Sequence, residues 1–377
     1  MRIGREKQEK EEGAWDFVRL IIMEAIRARA TDIHFEPDGT YPTKWITVRF
    51  RIDGILHDTK KIESFATGLE SLVNSIKVCS KMDPSQKRKG QDGRFGFRMG
   101  EEELDIRATS LPTISGEKIV LRIIDSQRYV MKLEDLGMTK EALDRYRSFI
   151  PKPHGFILIT GPIGCGKTTT LYSTLDKIKT REKSICTIED PIESKINGIS
   201  QTQVNVEFGV TFSSALRILL RQDSQIIMIG EIRDVDTMRV SLQSSLAGCL
   251  VFSTFHAKDS THTVVRLMDM GLEPYLLSET LTCIVNQRLV RLICTTCKGK
   301  GCPVCKQSGF YKRVGIFEVM EISDAIKSLI LQKASAKVIS DAAVKEGMVT
   351  LKELGDRLVA QGLTTSAEIY RVLAFEE

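Results

Sequence analysis

The segment Gly161-Pro162-Ile163-Gly164-Cys165-Gly166-Lys167-Thr168 fits the phosphate-loop pattern G-x-x-x-x-G-K-[ST] without a mismatch. Glycines at these spacings let backbone N–H groups curl around phosphate oxygens, and a helix beginning at the end of the loop adds partial positive charge. In this pattern Lys167 reaches the β- and γ-phosphates and the Thr168 hydroxyl ligates Mg²⁺, with Thr169 beside it in the cradle. A glycine-rich turn is the bland alternative. The flanks argue against it: Gly155–Thr160 reads as a buried strand running in, and 168–178 as a helix running out. The expectation is a site for a nucleoside triphosphate.

Phosphoryl transfer also needs acids to manage the metal ion and the attacking water. Two candidates stand at the ends of apolar runs, Glu189 in Thr187-Ile188-Glu189-Asp190-Pro191 and Glu231 in Met228-Ile229-Gly230-Glu231. Ligands gather at such strand ends in open α/β sheets. Glu231 has the position of a residue that orients or deprotonates water, and an acid that caps the next helix is the alternative. His256, in Ser253-Thr254-Phe255-His256, stands at a third strand end as a nucleotide sensor or a structural histidine. A second constellation is Cys294-x-x-Cys297 with Cys302-x-x-Cys305. Four cysteines so spaced favour tetrahedral Zn²⁺ over idle thiols, with a tight hairpin through Gly299 and Gly301 between the pairs. The other five cysteines, Cys165 inside the loop among them, read as packed or incidental thiols; for Cys165 the alternative is sensitivity to oxidation, because a helix N-terminus lowers a thiol pKa.

These groups need a scaffold, and 377 residues suffice for two or three domains. With 27% charged and 42% hydrophobic residues the composition is that of an ordinary globular protein. Apolar runs such as Ile226–Ile229 are too short to span a bilayer, and Phe17–Ile26 is interrupted by Arg19 and Glu24, unlike a signal peptide. A net charge of +5 is too mild to argue for nucleic acid. Nine cysteines without a secretory signal point to a reducing, cytoplasmic compartment. Residues 1–13 form a charged segment, frayed or an exposed helix start, and Ala14–Ala30 has helical apolar spacing. Alternating runs at Thr31–Phe35, Trp45–Arg51, Gly93–Phe97, Glu103–Ala108 and Lys118–Ile123, with a helix over Ile62–Lys81, predict a small α/β domain with an antiparallel sheet over 14–130. A linker over 131–138 leads to a core over 139–290. There the near-continuous apolar runs Gly155–Thr160, Ser184–Ile188, Ile226–Ile229 and Leu250–Thr254 predict a parallel sheet covered on both faces. A cysteine element over 291–313 and a helical C-terminal subdomain over 314–377 complete the chain.

Together these segments resemble the secretion ATPase family that powers type II secretion, type IV pilus assembly and competence pseudopili. The stretches that carry the resemblance are Ala30–Pro37, Arg51–Gly54, Gln91–Arg94, Leu104–Arg107 and Leu111–Arg122, then the phosphate loop, the acidic box at Glu189–Glu193, the region Leu219–Asp234 and the histidine box at Gly248–Asp259. The resemblance implies a PAS-like N-terminal domain, a RecA-like P-loop ATPase core with a short zinc knuckle, and a homo-hexamer. It implies ATP, Mg²⁺ and structural Zn²⁺ as ligands, and an inner-membrane platform protein as partner at the cytoplasmic face of the membrane, with no direct contact to nucleic acid. It also implies that Arg94 and Arg107 approach nucleotide across domains or subunits, where an ordinary surface ion pair is the alternative. The cysteine cluster favours assembly over retraction, and the short N-terminus is most similar to competence-pseudopilus motors. A nucleic-acid translocase or a nucleotide-gated scaffold with little hydrolysis are the rivals. Ser224-Gln225 replaces the family's Pro-Asp, and Cys249 replaces a histidine, which leaves His256 as the histidine of its box.

Overall fold

A computed structural model describes residues 2–40, 43–63, 68–125 and 129–373. The chain divides into two compact units, 1–126 and 127–377, each with its own core. In the first unit α1 (Arg2–Arg27) buries Ala14, Val18, Ile21, Ile22 and Ala25, one apolar stripe at helical spacing. The charged residues ahead of Ala14 belong to the same helix. A meander of β1 (Ala30–Thr40), β2 (Thr43–Ile52) and β3 (Ile55–Ile62) follows, then α2 (Leu69–Cys79). A second meander, β4 (Gln91–Met99), β5 (Glu102–Thr113) and β6 (Gly116–Ile124), pairs back onto β1. The antiparallel sheet runs β3-β2-β1-β6-β5-β4. The helix expected over Ile62–Lys81 therefore begins only at Leu69, and β3 was not foreseen. Its cause is local: Asp53 and Gly54 both take positive φ, 49° and 88°, the two-residue hairpin turn that returns the chain along β2.

The second unit opens with residues that were expected to be a linker. Leu133 and Leu136 of that segment are instead buried in the unit's core, because each has an apolar neighbour to cover it. Then come α3 (Lys140–Phe149), β7 (Gly155–Thr160), α4 (Lys167–Ile178), β8 (Ile185–Glu189), β9 (Ser200–Gln203), α5 (Phe212–Leu219) and β10 (Ile226–Ile229). They continue through α6 (Val235–Leu246), β11 (Leu250–Phe255), α7 (Ser260–Asp269), α8 (Pro274–Thr280), β12 (Leu281–Ile293) and β13 (Phe310–Glu321). The helices α9 (Asp324–Leu331), α10 (Ala336–Lys345), α11 (Leu351–Ala360) and α12 (Ser366–Leu373) end the described chain. The sheet order is β13-β12-β7-β11-β10-β8-β9, parallel throughout except where β13 returns on β12. Every residue of β7, β8, β10 and β11 is buried. Alternate residues of β7 serve opposite faces: Phe156 and Leu158 join one core, Ile157 and Ile159 the other. The region over 314–377 is thus not helical from its start, since β13 holds its first residues as a sheet edge and the helices begin at Asp324, after the Ser323 cap.

Among the described residues of the first unit, one charged side chain is fully buried. Lys77 on α2 is 0% exposed, and its Nζ donates to Glu117 Oε1 at 2.7 Å and to the Gln86 carbonyl at 3.0 Å. Removing one partner strands the other charge, at about 3–5 kcal/mol, whereas replacing both with apolar groups is close to neutral. Trp15 and Trp45, the chain's two tryptophans, both lie in this unit, so their fluorescence reads its unfolding within the full chain. Lys77→Met is expected to lower the urea midpoint seen by tryptophan, and Lys77→Met with Glu117→Leu to recover most of it. A single variant that melts with the parent protein would remove the ion pair from the account of this core.

Candidate active site

Strand β7 delivers the phosphate loop, and the loop's shape is set by what lies beneath it. Gly161, Gly164 and Gly166 take φ of 139°, 77° and 93°, and α4 starts at Lys167 with Gly166 as its cap. A Cβ at Gly161 would come within 2.6 Å of the Gln287 carbonyl oxygen, so no other residue fits there. Pro162 and Ile163 are exposed on the outside of the turn, while Thr168 and Thr169 are half-buried. Lys167 Nζ donates to the carbonyls of Gly161 at 2.8 Å and Pro162 at 2.9 Å, so its charge lies along the loop. Burial pulls this ammonium below the usual lysine range, opposed by Cys165 and the Glu231 carboxylate. Cys165 is a packed thiol: it is 4% exposed, and burial pushes it up, so the helix N-terminus does not leave it the reactive thiolate of the alternative reading.

The loop follows β7, and the candidate acids and histidine follow its parallel neighbours β8, β10 and β11, so they gather at the same end of the sheet. Glu231, just past β10, has a side chain that is 25% exposed and lies 3.9 Å from His256 Nε2. Arg233 pairs with the Glu231 carboxylate and reaches Asp190 Oδ2 at 3.5 Å. Glu231 is not a helix cap. That task falls to Asp234, which accepts from the Thr237 N–H at 2.7 Å at the head of α6. Burial, then Lys167, lowers the His256 pKa against the pull of Glu231, so the imidazole is neutral at pH 7. Glu189 ends β8 but points into the protein: it accepts from Tyr172 Oη, from Thr187 Oγ1 at 2.6 Å and from Gln201 Nε2 at 3.0 Å. It thereby ties α4 to β8 and β9. Arg94 and Arg107 stand opposite each other on β4 and β5 in the first unit, and Arg94 Nε donates to Asp105 Oδ1 at 2.7 Å.

Three further residues shape the site and were missed. β12 pairs in parallel with β7, Asn286 beside Thr160, which slides Asn286-Gln287-Arg288 under the loop. Asn286 Nδ2 donates to Thr160 Oγ1 at 2.7 Å, and Gln287 Nε2 to the Cys165 carbonyl at 2.7 Å. Gln287 Oε1 accepts from Thr170 Oγ1 at 2.8 Å, and Arg288 Nη2 donates to the Lys258 carbonyl at 2.6 Å, beyond His256. One buried polar triplet thus braces both the loop and the histidine segment. Its signal was visible: three consecutive polar residues interrupt an otherwise apolar run.

The positions that depart from the family pattern lie elsewhere. Leu250 pairs with Gly155, at the end of β7 away from the loop, so Cys249 is separated from the loop by the length of a strand, about 20 Å at 3.3 Å per residue. Cys249 Sγ meets the Ser224 carbonyl at 3.1 Å, and Gln225 Oε1 accepts from the Ser184 N–H at 3.1 Å. These substituted residues pack together at that end.

Between β12 and β13 the sulfurs of Cys294, Cys297, Cys302 and Cys305 all lie within 4.8 Å of one another. Cys294–Cys302 is 3.9 Å, and Cys297–Cys305 and Cys302–Cys305 are both 3.7 Å. A tetrahedral thiolate site with metal–sulfur bonds of about 2.3 Å has edges of about 3.8 Å, so the donor set fits a metal of that kind. Against burial, the N–H groups of Cys302 and Gly309 hold the Cys305 thiol down to about 6.

The parallel sheet, the phosphate loop and the carboxylate two strands away at the same end of the sheet define a P-loop ATPase. The family described as type II/IV secretion system protein matches residues 7–371. Type II secretion system protein HxcR of Pseudomonas aeruginosa is 42% identical over 363 residues, covering 94% of this chain and 76% of its own. Type II secretion system ATPase E of Vibrio cholerae is 38% identical, covering 94% and 74%. Type IV pilus assembly ATPase PilB of Myxococcus xanthus is 38% identical, covering 93% and 66%. Among solved structures, the pilus retraction motor PilT with bound ADP superposes with a TM-score of 0.67 at 26% identity, covering 94% of this chain and 96% of that one. The Legionella pneumophila ATPase DotB, with a TM-score of 0.74 at 20% identity over 95% of each chain, shares the fold. This chain belongs to the type II/IV secretion system protein family, and it is an ATPase.

Two substitutions test the site. Lys167→Ala is expected to abolish ATP binding or hydrolysis with an unchanged circular dichroism spectrum, and near-parent turnover would remove the phosphate-loop assignment. Glu231→Gln is expected to bind ATP and hydrolyse it about a hundredfold or more slowly, the usual range for a lost general base. An unimpaired rate would move that role to another residue.

Proposed function

We propose that the chain is a hexameric motor that spends ATP to assemble a type IV pilus-like fibre, acting through a membrane platform protein at the cytoplasmic face of the cell membrane. The fibre is a pilus, a type II secretion pseudopilus or a competence pseudopilus. The observation that carries this reading is the joint placement of Lys167, Glu231 and His256 around one loop, in a chain about two-fifths identical to named secretion and pilus-assembly proteins across more than nine-tenths of its length. In this reading Lys167 turns from the loop carbonyls to the β- and γ-phosphates of ATP. Glu231 orients the attacking water and accepts its proton, and neutral His256 reports the state of the γ-phosphate. Mg²⁺, bound through Thr168, supplies charge neutralisation on the transferred group. Glu189 acts by fixing α4 against β8, while Arg94 and Arg107 approach the nucleotide of a neighbouring subunit. Assembly is preferred to retraction because the relatives at 38–42% identity bear secretion and assembly names, whereas the retraction motor stands at 26%. Hydrolysis is preferred to a passive scaffold because Ser224, Gln225 and Cys249 sit at the far end of the sheet from the loop.

The cysteine cluster holds one structural Zn²⁺ in this reading. Metal analysis of the purified protein is expected to give about one zinc per chain, and zinc-free folded protein would refute that site. In the cell of origin, Glu231→Gln at normal protein level is expected to stop fibre assembly or secretion. Fibres made at the parent rate by that strain would sink the motor.

A further inference from the structure

The backbone of the segment that carries His256 is held by side chains from other elements. Arg266 Nη1 donates to the His256 carbonyl at 2.7 Å, Asn286 Nδ2 to the Ala257 carbonyl at 3.3 Å and Arg288 Nη2 to the Lys258 carbonyl at 2.6 Å. The Ser260 N–H, at the head of α7, donates to Glu318 Oε1 at 2.9 Å. Glu318 stands on β13 opposite Asn286 of β12, and Asn286 stands beside Thr160 of β7. All three are buried. One row of polar side chains thus crosses three strands from the foot of the phosphate loop.

Glu318 is the member of that row that reaches beyond the nucleotide core. Its other oxygen, Oε2, accepts at 3.4 Å from the N–H of Leu351, the first residue of α11. The carboxylate therefore joins the heads of two helices, α7 after the histidine segment and α11 among the C-terminal helices. First-turn N–H groups have no partner in their own helix, and a negative charge suits both ends. No cation pairs with Glu318 among the described residues. Burial pushes its carboxyl above the usual carboxylate range, against the pull of the two N–H groups. An apolar side chain would fill the same space without that cost. What it could not do is accept from two helices at once.

We propose that Glu318 is a positioning residue for hydrolysis, which fixes the His256 segment beside Glu231 and passes the movements of that segment to α11. His256 Nε2 lies 3.9 Å from the Glu231 carboxylate, so a slack segment displaces the groups around the attacking water. A displacement of about 1 Å at such a site costs about a hundredfold in rate. When the segment shifts with the state of the γ-phosphate, the shared carboxylate shifts the head of α11 with it. Glu318 touches neither the loop nor Lys167, so it governs kcat and leaves nucleotide affinity alone. The inference rests on the reading of His256 as the reporter of the γ-phosphate, and its test is separate from the Glu231 test of the motor.

The test uses Glu318→Gln in the full chain. The amide keeps the shape, but its NH₂ must face one of the two N–H donors, so one tie is lost in either orientation. Expected are an unchanged ADP affinity and KM, with kcat about tenfold or more lower, the scale of one lost hydrogen bond to a charged group. Hydrogen exchange of amides 352–360 in the parent protein is expected to slow with a non-hydrolysable ATP analogue relative to ADP, and not to respond in the variant. Leu351→Pro cuts the tie at its other end, because proline at a first helical position keeps the helix and removes only the N–H. It is expected to keep ADP affinity and lose the same exchange response. An unchanged kcat in Glu318→Gln, a loss of ADP affinity along with kcat, or an exchange response that is absent from the parent or kept by both variants would each overturn the proposal. Any of these, with Glu231→Gln still inactive, would leave the motor reading standing.

Discussion

A phosphate loop is backbone with its N–H groups turned outward, and such a strip holds no shape without something behind it. Here that support is the parallel pairing of β12 on β7, which sets Asn286 against Thr160 and Gln287 beneath Cys165 and Thr170. The close approach makes Gly161 obligatory, since its Cβ would strike the Gln287 carbonyl. The same strand reaches the histidine segment through Arg288 and Lys258. Buried polar groups of this kind are stabilising only when satisfied, and in satisfying one another they give the loop a single arrangement.

The chemistry above the loop follows from the sheet order. Because β11, β10 and β8 run parallel to β7 and lie successively beside it, their C-terminal residues share one end with the loop. Burial there lowers the pKa values of both Lys167 and His256. Glu231 is the carboxylate that acts on both, and Arg233 holds it in place across to Asp190. The acid one strand further, Glu189, has turned inward to Tyr172 and Gln201. Two glutamates that look alike along the chain are thus divided between the open site and its framework.

Much of this was legible beforehand. The loop, the four buried parallel strands, the acids at their ends and the four cysteines all declare themselves through short spacings or runs of one character. β12 and β13 escaped notice because polar residues break the apolar pattern that marks a buried strand: Asn286, Gln287 and Arg288 of β12 are buried where the loop and the histidine segment use them, and Glu318 of β13 where it accepts from the N–H groups of Ser260 and Leu351. The helix placed over Ile62–Lys81 was too long because the turn at Asp53-Gly54 draws the chain back into a third strand.

The sequence by itself determined the ligand class and the family, since a phosphate loop and paired cysteines are contiguous patterns whose chemistry is local. Only the tertiary structure decided which glutamate faces the site, that Cys165 is shielded, that Cys249 sits a strand's length from the nucleotide end, and that Gln287 braces the loop. Those outcomes depend on burial and on the register between strands far apart in the chain. No spacing within a single segment encodes them.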